Sequence, residues 1–208
     1  MVFTAKRLAL AELWYFLLVW VAYMVAAANF KVDWAKDIGL IYGFAFIAAF
    51  ATVGFDKEKL MIRGGLSSKN LMLGVMLFVV TEIILFSALQ YGLLSGLEGN
   101  PLYASMFEQI SMEYLSFVAN CIVGITEEII FRGMMLAKVK SMRDFYVSNS
   151  FQALIFAIIH FYRYGVKIGL LLTYGVIAWI YGYVAWKYKT INPGIVSHIL
   201  NNLYWVSR

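Results

Sequence analysis

The feature that most constrains this chain is a succession of apolar stretches that are long enough, or nearly so, to cross a bilayer. They run over residues 8–29, 37–55, 70–95, 113–137, 146–164, 167–187 and 191–206. Because 62% of the 208 residues are hydrophobic and only 14% are charged, too few charges remain to cover a soluble protein. The pattern predicts an all-α, polytopic transmembrane bundle of about seven spans, folded as a single membrane domain over residues 1–208.

The basic residues between these stretches predict the orientation. If the N-terminus is cytoplasmic, the cytoplasmic connections hold eleven Lys and Arg residues and the opposite side holds five. Since cytoplasmic loops carry the excess of Lys and Arg, we expect a multi-pass protein of the cell membrane with a cytoplasmic N-terminus. Residues 1–112 are interpreted as N-terminal helices and an extracytoplasmic loop. The basic residues form no run of the kind that follows phosphates, so no nucleic-acid partner is expected.

Few polar residues interrupt the predicted spans, and most of them fall in the last four. Ionisable side chains inside a bilayer are costly and commonly mark functional sites. Both histidines of the chain are among them, which predicts a shared site. Glu12 and Glu82, which lie apart from the other polar residues, are expected to face neighbouring helices or the interface. The complete set is Glu12, Glu82, Glu127, Glu128, Arg132, His160, His198, Asn201 and Asn202.

The stretch "GITEEIIFRGMM", residues 124–135, carries three of these charges. Glu128 and Arg132 are four residues apart and share a helix face, so an ion pair is expected between them. Glu127 lies about 100° further round the same helix and can face a different neighbour. The lone Cys121 excludes an intramolecular disulfide and any multi-cysteine metal site, and is interpreted as a packing residue.

Two later segments bring in the histidines at the same helical spacing. In "FAIIHF", His160 lies four residues after Phe156, and in "NPGIVSHILNN" Asn202 lies four residues after His198. Pro193 suits the first turn of the last helix. A carboxylate, two imidazoles and a carboxamide around one water are the groups that hydrolysis needs. We expect Glu127 and His160 to activate the water, and His198 and Asn202 to donate hydrogen bonds to the oxyanion.

The three motifs, in this order on successive spans, resemble the CAAX-protease and bacteriocin-processing (Abi) family of intramembrane proteases. "EEIIFR" matches EExxxR, "FAIIH" matches FxxxH and "HILNN" matches HxxxN. The resemblance implies that residues 113–206, the last four spans, form the catalytic core and that Glu128 and Arg132 support the catalytic residues. It also implies a membrane-associated peptide substrate; the family's eukaryotic members remove the last three residues of prenylated proteins.

Two questions stay open at this point. Glu127, His160 and His198 could together bind a catalytic zinc ion, but the sequence has no HExxH helix, so we expect a reaction without a metal cofactor. The alternative functions are a non-catalytic membrane scaffold or bacteriocin-immunity protein, and a small ion or proton transporter. We find no internal repeat of the kind that transporters commonly contain.

Overall fold

The computed structural model describes residues 61–94, 121, 124–164 and 167–206. Within this part of the chain every regular element is a helix, as predicted. Five helices follow one another: α1 (Ser68–Gln90), α2 (124–136), α3 (Met142–Tyr164), α4 (Ile168–Tyr188) and α5 (Asn192–Val206). The middle of α2, Ile129–Met134, is a π-helical segment. The first two predicted spans and the predicted extracytoplasmic loop between the third and fourth spans lie outside the described residues.

The helices follow four of the predicted spans closely. Two of them, α1 and α4, are both long enough and apolar enough to cross a membrane. Two boundaries differ by more than two residues: α1 ends at Gln90 and not at residue 95, and α3 begins at Met142 and not at residue 146. Ser141 explains the earlier start, since its hydroxyl accepts a hydrogen bond from the Asp144 backbone N–H and donates one to the Asp144 carboxylate. This N-terminal cap lets the polar first turn join the helix.

Helices α3 and α4 are joined through two buried amides of α3. The Asn149 side chain donates to the Trp179 carbonyl at 3.0 Å, and the Gln152 side chain donates to the Ala178 carbonyl at 3.0 Å. Gly182 of α4 makes this approach possible, because a Cβ at that position would overlap the Asn149 side-chain oxygen. Buried polar groups in an apolar environment need such partners.

We predict that Gly182→Ala destabilises the protein by about 1–3 kcal/mol, since the added methyl forces the α3 amides away from their carbonyls. Gly175→Ala on the same helix is the matched control, because its nearest neighbour would be the Ala157 Cβ at 4.0 Å, an ordinary contact. Thermal unfolding of the purified variants in detergent compares the two. Equal unfolding temperatures would contradict the predicted overlap.

The start of α5 is fixed by the loop that precedes α1. The Asn192 side chain donates to the carbonyls of Arg63 and Gly65, at 2.8 Å in each case. Thr190 donates to the same Arg63 carbonyl at 2.9 Å, and the Ile191 backbone N–H donates to the Met61 carbonyl at 3.0 Å. These bonds anchor the first turn of the helix that carries His198.

Candidate active site

The predicted ion pair between Glu128 and Arg132 is present on α2. The Arg132 Nη1 and Glu128 Oε1 atoms are 3.1 Å apart, and both residues are completely buried. Arg132 lies within the π-helical segment. Segments of this kind are frequent at functional sites, where they alter the direction of side chains relative to a regular helix. The pair keeps two charges together in an apolar interior where either alone would be costly.

Aromatic rings surround the buried guanidinium of Arg132. Its Cζ lies 4.4 Å from the ring centroid of Phe156 on α3 and 5.4 Å from that of Tyr181 on α4. The Phe131 ring centroid is 6.0 Å away. Cation–π contacts of this geometry stabilise a guanidinium that has lost its water. Phe156, which the sequence offered only as the first residue of a motif, therefore supports the ion pair directly.

His198 of α5 lies between the two glutamates of α2. Its Nδ1 is 3.2 Å from Glu128 Oε1, the oxygen that also faces Arg132, and its Nε2 is 3.4 Å from Glu127 Oε2. Glu127 is itself buried, with 4% of its surface exposed. Both ring nitrogens of His198 therefore face a carboxylate oxygen of α2.

Gly194, at the start of α5, leaves the space that the Glu128 carboxylate occupies. A Cβ on Gly194 would overlap the Glu128 Oε2 atom, so no other residue leaves room for the carboxylate in its present position. Sequence reasoning noted only the helix start at Pro193 and missed Gly194. The available signal was a glycine inside a helix, which weakens the helix and commonly indicates a close approach by another group.

His160 of α3 is held one turn beyond Phe156. Its Nδ1 donates to the Phe156 carbonyl at 2.7 Å, because a carbonyl oxygen can only accept. In the neutral ring this leaves the lone pair on Nε2. The His160 ring lies 4.2 Å from that of Tyr174 and 4.8 Å from that of Phe156, while Phe156 in turn is 6.1 Å from the His198 ring. The Phe156 ring therefore lies next to both histidine rings.

Asn202, the fourth predicted catalytic residue, is partly buried one turn after His198 on α5. The spacing of four residues places both side chains on the same side of the helix. Its predicted contact with an oxyanion, like the predicted pairing of Glu127 with His160, stays a prediction.

Three hydroxyl groups form a second polar cluster, beside His198. The Tyr181 hydroxyl is hydrogen-bonded to the Ser197 hydroxyl, and the Thr81 hydroxyl lies 3.2 Å from the Tyr181 hydroxyl oxygen. All three residues are buried, and the Tyr181 ring meets the His198 ring edge-on with centroids 6.4 Å apart. This cluster was not predicted, because Ser, Thr and Tyr give no distinctive signal in an apolar sequence.

A catalytic zinc ion would need three protein ligands and an open position for water. Among the residues that the structure describes, no three His, Cys, Asp or Glu side chains are grouped so that they could hold a metal ion together. The expected reaction without a metal cofactor stays a prediction.

Together, the helices and the buried cluster of carboxylates, arginine and histidine define a membrane protein with an ionisable site among its apolar helices. Residues 109–204 match the family model for Rce1-like proteins, described as type II CAAX prenyl endopeptidase Rce1-like. This segment, a little under half of the chain, matches the CAAX-protease family that the motifs resemble, and that family is one of proteases. Comparisons with curated proteins and with solved structures gave no match.

Proposed function

We propose that the chain is an intramembrane endopeptidase that hydrolyses peptide bonds in membrane-associated substrates of the prenylated type. The observation that carries this proposal is the contact between the buried Glu127 carboxylate and His198, at 3.4 Å, inside the segment that matches the protease family. Ionisable groups that are brought together in an apolar surrounding are the usual components of an acid–base site.

Glu127 is the proposed general base. It removes a proton from a water molecule, whose oxygen forms a bond to the carbonyl carbon of the substrate. His160 helps to hold this water through Nε2, the nitrogen that its hydrogen bond to the Phe156 carbonyl leaves with a lone pair. When the C–N bond breaks, the proton held by Glu127 passes to the leaving amine. The oxygen of the water thus ends in the new carboxyl group, and one of its protons ends on the new amine.

His198 and Asn202 are the proposed donors to the oxyanion. The Nδ1 of His198 faces Glu128, so Nε2, on the Glu127 side of the ring, is the proposed donor to the oxyanion. Glu128 thus has two proposed tasks: it neutralises Arg132, and it holds the ring of His198 in position.

We predict that hydrolysis is insensitive to strong chelators. The measurement uses purified protein in liposomes with a farnesylated peptide that ends in a CAAX sequence, and follows release of the C-terminal tripeptide. His198→Ala should lower the rate about 10²–10³-fold while the substrate still binds, since one oxyanion donor is removed.

The same assay distinguishes the alternative. If the protein uses zinc, chelation should abolish tripeptide release, added zinc should restore it, and the purified protein should contain about one zinc ion per chain. That combination would overturn the metal-free proposal while leaving Glu127, His160 and His198 as site residues. No cleavage by the wild type of this peptide or of a farnesylated peptide library would contradict the protease activity.

A further inference from the structure

A buried carboxylate lies outside the site described so far. Glu82, in the middle of α1, has only 8% of its surface exposed. The side chain of Asn201 on α5 donates a hydrogen bond to its Oε1 at 2.6 Å. Glu82 also precedes the segment that matches the family model, residues 109–204. An ionisable residue inside a membrane region is costly and commonly has a function.

Asn201 is close to the predicted catalytic residues along α5. At about 100° per residue, it projects about 60° to one side of His198, whereas Asn202 projects about 40° to the other side. Ser197 lies on the same side as Asn201, about 100° from His198. The bonds from Asn201 to Glu82 and from Ser197 to Tyr181 therefore hold one flank of the helix, next to His198.

Bonds on one flank of a helix restrain its rotation about its own axis. A histidine ring lies about 7 Å from the axis of its helix, so a rotation of about 10° moves the ring by about 1 Å. A displacement of that size can reduce the rate of an enzyme by about 10²-fold. His198 has to stay in contact with both Glu127 and Glu128, which leaves little tolerance for rotation.

We propose that Glu82 is a positioning residue of the active site: by accepting the hydrogen bond of Asn201, it fixes the rotation of α5 and so directs His198 toward the two glutamates. The role depends on the hydrogen-bond acceptor and not on the negative charge. Glutamine at position 82 should therefore replace Glu82, because its side-chain oxygen can accept the same bond. Methionine, of similar size but without an acceptor of comparable strength, should not.

The two histidines of the chain allow a direct test by NMR, which needs no substrate. Protein labelled with ¹³C and ¹⁵N in histidine, in detergent micelles, should give two sets of ring signals, and the set lost in His160→Gln identifies His160. We expect Glu82→Met to shift the His198 signals and leave those of His160 in place, whereas Glu82→Gln keeps both sets at the wild-type positions. Unchanged His198 signals in Glu82→Met would overturn the proposal, as would equal shifts in Glu82→Met and Glu82→Gln.

Asn201→Leu provides an independent variant in case Glu82→Met does not fold. It removes the donor and should shift the His198 signals in the same way. The double variant Glu82→Met/Asn201→Leu removes both the acceptor and the donor. It should shift the His198 signals no further than either single change, because the two residues act through one bond. Additive shifts would show that Glu82 acts by another route and would contradict the proposal.

The consequence for catalysis rests on the proposed function. In the farnesylated-peptide assay, Glu82→Met should lower kcat about ten- to a hundredfold with KM unchanged, and Glu82→Gln should restore kcat. A raised KM with unchanged kcat would contradict a role in positioning His198. If the wild type cleaves no peptide, the proposed protease activity fails, and the NMR comparison alone decides the role of Glu82.

Discussion

Arg132→Ala is expected to remove most of the folded protein from the membrane. The change removes the arginine from a completely buried ion pair with Glu128 and empties the space between the Phe156 and Tyr181 rings. Breaking a buried ion pair by removing one member costs about 3–5 kcal/mol, a large part of the stability of a typical domain. The amount of protein in isolated membranes and its unfolding temperature in detergent measure the loss.

Two further variants show whether that loss comes from the ion pair. Lys138→Ala removes an exposed positive charge shortly after the π-helical segment and should leave abundance unchanged. Arg132→Lys keeps the charge but lacks the planar group that stacks on the rings, so it should be intermediate. Wild-type abundance of Arg132→Ala would contradict the supporting role of this residue.

Glu127→Gln is expected to abolish activity without affecting folding. Glutamine has the size of glutamate and can still meet His198, but it cannot take a proton from water, so the rate of peptide hydrolysis should drop by about 10² or more. Abundance should stay near that of the wild type, because the ion pair of Glu128 with Arg132 remains intact. Peptide release in liposomes, divided by the amount of protein, measures the effect.

Glu128→Gln is the informative comparison, since it alters the adjacent carboxylate. It leaves Arg132 without an ionised partner and weakens the hold on His198 Nδ1, so it should reduce both abundance and activity. A Glu127→Gln variant that is as poorly folded as Glu128→Gln would mean that Glu127 has a structural role.

Helical spacing was sufficient to predict the parts of the site that lie within one helix. Four residues between Glu128 and Arg132 predict an ion pair on any α-helix, and the pair is present, although the helix widens to a π-helix there. The all-helical fold followed from composition and apolar runs in the same way. Motif order also predicted the family, because three polar motifs on successive apolar segments are a distinctive pattern.

Contacts between helices were beyond the reach of the sequence. The motif spacing suggested that His198 donates a hydrogen bond to an oxyanion. It could not place the His198 ring between Glu127 and Glu128, because that position depends on how α5 packs on α2. For the same reason Gly194 was missed, and the partner of Glu82 could not be chosen between Asn201 and other polar side chains. Each of these depends on a distance between residues more than 60 positions apart.

The most direct test compares the peptides that membranes release when they contain the wild-type protein or Glu127→Gln at equal abundance. Mass spectrometry identifies the released peptides and their new termini. We expect a set of fragments from membrane-associated proteins that is present with the wild type and absent with Glu127→Gln. The same fragments in equal amounts from both preparations would contradict the claim that Glu127 activates water for intramembrane proteolysis.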